Sequence, residues 1–134
     1  MPRIDANVVL RYLTDEPAEQ AVQVARLFDR AAAELVTLTV DEIVVAEVVW
    51  TLKSHYHLER AAITEVMLQF LAADGIECRN GSAVLRALVL MGEKNVDFAD
   101  ALVCARMLDE GEVELYSFDR ELDRVEGIRR LEPG

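Results

Sequence analysis

At 134 residues, 52% apolar and 29% charged, the chain has the size and composition of one folded domain with a sizeable core, residues 1–134, and disorder is expected only at its ends. Its formal net charge is −11, with 16 acids against 9 Lys/Arg in residues 1–100 and 9 against 5 in residues 101–134. No basic tail or block is present, which excludes a protein that holds nucleic acid by bulk electrostatics; an enzyme whose acids hold a divalent cation stays open, because the ion inverts the local field.

Residues 2–6 (PRIDA) read as a short strand ended by Asp5, and residues 7–14 as a brief helix with Val8, Val9 and Tyr12 on one side. Pro17 suits the first turn of a second helix over 17–33, where Ala21, Val24, Leu27 and Phe28 recur at helical spacing. The β-branched stretch 35–39 predicts a strand, and Asp41 is placed to cap a helix over 42–56. A further helix covers 59–72, ended near Gly75, followed by a short strand at 76–78 and a helix over 81–91 that Gly92 is expected to stop. Asp97 opens a strongly apolar helix closed by Gly111. VELYSF (113–118) reads as a strand, 119–126 as a turn or short helix, and 127–131 as an edge strand. The alternation predicts an α/β fold with a mainly parallel central sheet and helices on both faces.

The start, MPRIDANVVLRYL, carries an acid where an export segment is apolar, so no leader is expected. No apolar run approaches the roughly 20 residues of a membrane span. Cys78 and Cys104 are the only cysteines, and Cys104 lies in an apolar helix pattern, so a disulfide framework is not expected and a cytoplasmic location is.

Four acids carry the functional reading. Asp5 and Asp119 each follow the C-terminal end of a strand, and in a parallel sheet those ends share the edge where active sites lie. Each also fits a helix cap or an Asx turn. Glu47 lies among Ile43, Val44, Val45, Ala46, Val48, Val49 and Trp50. Its neighbours at i−4, i−3 and i+3 are all apolar, which predicts a carboxylate on a core-facing stripe, tolerable only beside a cation or an arginine. Lys53 and Arg11 are conceivable partners. Asp100 is expected in the first turn of the helix opened by Asp97, where the backbone dipoles favour an anion; the spacing of three also fits a capping box, with Asp97 as the cap. Mg²⁺ and Mn²⁺ prefer oxygen donors and keep several waters, so a few carboxylates suffice to hold one or two ions.

The stretches IDANVVLRYL (4–13), AEVVWTL (46–52), VDFADALVCARM (96–107) and YSFDREL (116–122), in this order and with this layout, resemble the PIN-domain nucleases, and within them the small toxin ribonucleases of the VapC type. The resemblance samples nearly the whole chain. It implies catalytic and metal-binding acids at Asp5, Glu47, Asp100 and Asp119, with Asp97 as an auxiliary metal ligand. It implies supporting polar residues at Asn7, beside the first acid, and Ser117, two residues before the last. It further implies Mg²⁺- or Mn²⁺-dependent hydrolysis of an RNA substrate to 5′-phosphate and 3′-hydroxyl ends, with a small antitoxin that brings arginine to the acids, and a homodimer. A plain helix cap fits Asn7 equally well, and an ordinary strand serine fits Ser117.

Other residues are weaker. His55 and His57 lack Cys/His partners at zinc-site spacing and read as helix C-terminal residues. Trp50 and Tyr56 read as core or interface residues rather than base-stacking platforms. Arg11, Lys53, Lys94, Arg120 and Arg124 are scattered phosphate-contact candidates, most of them expected to be ordinary surface. Three alternatives to the toxin stand: a PIN-class RNA-processing nuclease with no antitoxin, a non-catalytic PIN-like binding protein, and a phosphoacceptor. The last fits poorly, because Asp119–Arg120 follows the late strand where a lysine is wanted.

Overall fold

Thr39 is paired with the amino-terminal segment of the chain: its N–H donates to the Pro2 carbonyl at 2.8 Å, and its own carbonyl accepts from the Ile4 N–H at 3.0 Å. This parallel bridge between Arg3 and Thr39 is all that forms of the strand expected at 2–6. The computed structural model describes residues 1–134, which divide into two compact units. The first comprises Met1–His57 and Gln69–Arg79, the second Leu58–Leu68 and Asn80–Gly134.

In the first unit, α1 (Ala6–Thr14) and α2 (Ala18–Ala33) precede β1 (Leu38–Val40), and α3 (Glu42–Ser54) follows it. Helix α4 (Arg60–Leu71) begins in the second unit and returns the chain to the first, where β2 (Ile76–Cys78) pairs parallel with β1, Leu38 opposite Ile76. All three residues of β1 are buried, as a parallel strand covered on both faces requires. Val45, Val48, Val49 and Leu52 bury one face of α3, each worth about 1.5–3 kcal/mol of transfer free energy. The buried side of α1 is Ala6, Val9 and Leu10. Tyr12, expected on that side, is instead 41% exposed and meets Phe28 edge-on at 4.5 Å, with Phe70 at 5.8 Å.

In the second unit, α5 (Gly81–Lys94) packs on α6 (Phe98–Glu110) through small and apolar residues, Ala83, Ala87 and Leu88 from one and Ala101, Cys104 and Ala105 from the other being buried. Gly92 does not stop α5, which runs on to Lys94 and ends at left-handed Asn95. The glycine is there for space: a Cβ on it would stand 2.7 Å from the Thr64 hydroxyl oxygen. Gly111, at φ +75°, closes α6 as expected. Strand β3 (Glu114–Tyr116) pairs parallel with β4 (Arg129–Leu131), and a 3-10 turn over Arg120–Arg124 lies between them in sequence. The chain is thus an α/β fold whose strands pair in parallel and are flanked by helices. No helix is long and apolar enough to cross a membrane.

Candidate active site

Asp100 is the acid of the second unit on which the charges of Asp97, Asp119 and Glu121 act. It occupies the first turn of α6 and is half-buried. Partial burial pushes its carboxyl above the ordinary value, and the negative charges of Asp97, Asp119 and Glu121 push it the same way; only Arg60 opposes them. Asp97 stands at the N-cap position of α6 but its side chain makes no capping hydrogen bond, so the capping-box alternative fails on geometry.

Asp119 opens the 3-10 turn. Its carboxylate accepts from the Glu121 N–H at 2.9 Å, and its own N–H donates to the Ser117 hydroxyl oxygen at 3.0 Å. These two bonds fix the carboxylate relative to the end of β3, so Ser117 supports the last acid through its backbone. Arg130 braces the same turn: its guanidinium donates to the Ser117 carbonyl at 3.0 Å and pairs with Asp123 at 2.9 Å, holding the Asp123 carboxyl below its ordinary range.

Two arginines organise the approach to α6. Arg60 donates to the Asn95 carbonyl at 2.9 Å and lies 3.7 Å from the Glu121 carboxylate. Arg124, expected at the surface as a phosphate-contact candidate, is exposed and donates to the carbonyls of Lys94 and Asn95 at 3.2 and 3.0 Å. Neither role was legible in the sequence, because the partners lie 35 and 29 residues away and carbonyls leave no residue-type signature.

In the first unit, Asp5 caps α1, its carboxylate accepting from the Val8 N–H at 3.0 Å, and Asn7 is exposed in the first turn of the same helix. Glu47 is corrected in its surroundings. It is exposed, and Ile43 and Trp50, which share its helix face, are 70% and 69% exposed. The apolar stripe that buries α3 is Val45, Val48, Val49 and Leu52, on the other side of the helix, so Glu47 needs no buried counter-ion. Trp50 is accordingly a surface residue and not part of the core. Arg11, considered a partner for Glu47, donates to the Gln20 side chain at 2.7 Å. Asp41, expected as a cap of α3, sits at the N-cap position without a side-chain capping bond; its carboxylate faces Arg3 at 3.0 Å and Arg79 at 3.6 Å.

The donor chemistry of these acids suits a hard divalent cation, being all carboxylate oxygen. The arrangement is not a closed chelate: no group of three or more His, Cys, Asp or Glu side chains is disposed to hold a metal ion. In the second unit the charges of Asp97, Asp119 and Glu121 act together on Asp100, opposed there by Arg60.

The family model described as the PIN domain matches residues 4–128. Asp5, Asn7, Glu47, Asp97, Asp100, Ser117 and Asp119 all fall within the match. Among curated proteins no match was found.

Proposed function

This chain belongs to the PIN-domain family, and on that premise we propose that it is a Mg²⁺- or Mn²⁺-dependent endoribonuclease in which Asp5, Glu47, Asp100 and Asp119 are the required acids and Asp97 an auxiliary ligand. The observation that carries this reading is the convergence of the Asp97, Asp119 and Glu121 charges on half-buried Asp100. Like charges gathered around one carboxylate oppose folding, and sites that take up a cation are where such crowding is retained. Because Mg²⁺ keeps several of its waters, an ion can be held partly through water where the carboxylates alone do not close around it.

A bound cation would supply a water of lowered pKa and electrostatic stabilisation for the phosphate oxygens. The chain's own groups do the positioning. Asp119 is held by the Glu121 N–H, and Ser117, whose oxygen already accepts from Asp119, keeps its hydroxyl proton for a phosphate oxygen. In the hydrolysis, a bond forms from the water oxygen to phosphorus and the bond from phosphorus to the 3′ oxygen breaks. A carboxylate of the set receives the proton from water, and the departing 3′ oxygen takes up a proton to become the hydroxyl.

The finer assignment within the family is a toxin of a toxin–antitoxin pair, cytoplasmic and homodimeric. Its support is the exposed face of α3, where Ile43 and Trp50 flank Glu47 at one-turn spacing. A carboxylate between two exposed apolar groups suits a small antitoxin that brings an arginine together with apolar side chains.

The test is cleavage of a mixed, end-labelled cellular RNA pool by partner-free protein with Mg²⁺, with Mn²⁺ and with chelator, beside the Asp100→Asn protein. Metal-dependent cuts absent from the variant are expected. Undiminished metal-dependent cleavage by folded Asp100→Asn would remove Asp100 from the mechanism, and no cleavage by the parent protein would turn the reading toward a binding-only role. Light scattering of the same sample reports the dimer.

A further inference from the structure

Residues 114–118 alternate: Glu114, Tyr116 and Phe118 are exposed, while Leu115 and Ser117 are half-buried. Tyr116 is the last residue of β3, and Phe118 lies two residues further on, in the bend that leads to Asp119; both rings are turned to solvent. They are 68% and 74% exposed, far more than an aromatic ring held for packing. In the parallel register Tyr116 lies opposite Leu131, and Glu114 opposite Arg129, whose guanidinium is 70% exposed and only loosely paired at 3.9 Å. Phe118 is the residue directly before Asp119, and its segment is held in place by the Ser117–Asp119 and Arg130–Ser117 hydrogen bonds.

We propose that Tyr116 and Phe118 form a stacking platform that seats unpaired RNA bases one residue away from Asp119, with Arg129 and Arg120 meeting the adjoining phosphates. This inference rests on the nuclease reading and adds a site to it: exposed rings of this kind take unpaired bases, since bases already stacked in a helix have no face to offer. Two separate rings with arginines beside them suit bases and phosphates. Glu114, exposed on the same strand as Tyr116, is charged, and acidic side chains are depleted at the core of a protein interface. Because every base has a π-face, the platform sets how the strand is held rather than which sequence is cut.

The test is binding of fluorescein-labelled oligoadenylate of about ten nucleotides, in chelator so that nothing is cleaved, by the parent protein and by Tyr116→Leu, Phe118→Leu and the double variant. A sugar–phosphate oligomer of the same length without bases and a duplex RNA run in parallel. Both leucine replacements are at exposed positions, and matching melting curves check that the fold is kept. Each is expected to weaken oligoadenylate binding by between about fivefold and a hundredfold while leaving the base-free chain unaffected, and to raise KM for cleavage of the RNA pool more than it lowers kcat. Equal affinity of parent and variants for oligoadenylate overturns the platform, as does equal loss on the base-free chain. A shift in oligomeric state with RNA binding unchanged also overturns it and assigns the rings to a protein contact. Parent protein that cleaves the pool while the variants match it in KM sinks the platform alone; parent protein that neither binds nor cleaves RNA sinks the nuclease reading with it.

Discussion

Arg60 reaches the main-chain carbonyl of Asn95 at 2.9 Å and its side-chain amide oxygen at 3.3 Å, across 35 residues of sequence. Asn95 is in the left-handed conformation that ends α5, two residues before Asp97 and five before Asp100. One cation therefore holds the turn that delivers two acids and also offsets their charge, since Arg60 is the group that keeps the Asp100 carboxyl from rising further. Arg60→Met retains the stem but loses both bonds. We expect a loss of about 1.5–3 kcal/mol in urea denaturation, the range for hydrogen bonds from a charged donor, and a further upward move of the Asp100 carboxyl in an NMR titration. An unchanged denaturation midpoint would show that Arg124 alone holds the turn.

Asp100 itself should make the protein less stable at neutral pH. Its carboxyl titrates above the ordinary value of 3.8 in the folded state, so the folded state binds its proton more tightly than the unfolded chain does. Stability then falls as pH rises from the ordinary carboxylate range through the folded pKa, and the penalty is constant above it. Asp100→Asn removes the penalty. In metal-free buffer the variant is expected to be slightly more stable than the parent at pH 7, by no more than about 0.5 kcal/mol because the group is only half-buried and solvent screens its neighbours' charges, and equal to it below pH about 3. A variant that is less stable at pH 7 would mean that the charged form makes favourable contacts that outweigh its crowding.

Divalent cation should act in the opposite direction on the same residue. Mg²⁺ or Mn²⁺ that binds only the folded protein raises Tm with concentration by mass action, about 2.7 kcal/mol of stability at a hundredfold excess over Kd. The expected result is a metal-dependent rise in Tm for the parent protein, strongly reduced in Asp100→Asn and absent in chelator. The same rise in both proteins would place the ion elsewhere.

Gly92→Ala tests the packing of α5 rather than the site. By helix propensity alone alanine should stabilise by about 1 kcal/mol. The new Cβ would stand 2.7 Å from Thr64 Oγ1 and 3.0 Å from its Cβ, and Thr64 is held where it is by a 2.6 Å bond to the Leu88 carbonyl. Overpacking is expected to win, with a net loss of about 1–3 kcal/mol. The double variant Gly92→Ala with Thr64→Ala should recover most of it; failure to recover would point to a backbone cause at Gly92.

Most of the elements are legible in the sequence. Six helices and four of the five expected strands follow from periodicity, from Pro17, Asp97 and Gly111 at helix ends, and from the β-branched stretch 35–39, of which Leu38 and Thr39 enter β1. Elsewhere a local pattern has two meanings. Seven apolar neighbours around Glu47 do not say which side of α3 faces inward, because a helix this apolar carries hydrophobic residues on both sides; packing chose Val45, Val48, Val49 and Leu52 and left Ile43, Glu47 and Trp50 outside. Gly92 reads as a stop only until Thr64 is known to lie against it. Asp41 and Asp97 have the residue type and position of caps, but their carboxylates do not cap: Asp41 is drawn to Arg3 and Arg79, and Asp97 contributes its charge beside Asp100.

The choice of Asp5, Glu47, Asp100 and Asp119 as the proposed acids rests on residue type and order, which survive any folding. Their environments belong to the tertiary structure. The crowding of Asp97, Asp119 and Glu121 around Asp100, the two arginines on Asn95 and the outward rings of Tyr116 and Phe118 all depend on contacts between residues far apart in the chain or on which face of an element is covered. Charge and exposure are set by distance and by solvent, and neither is encoded in any local run of residues.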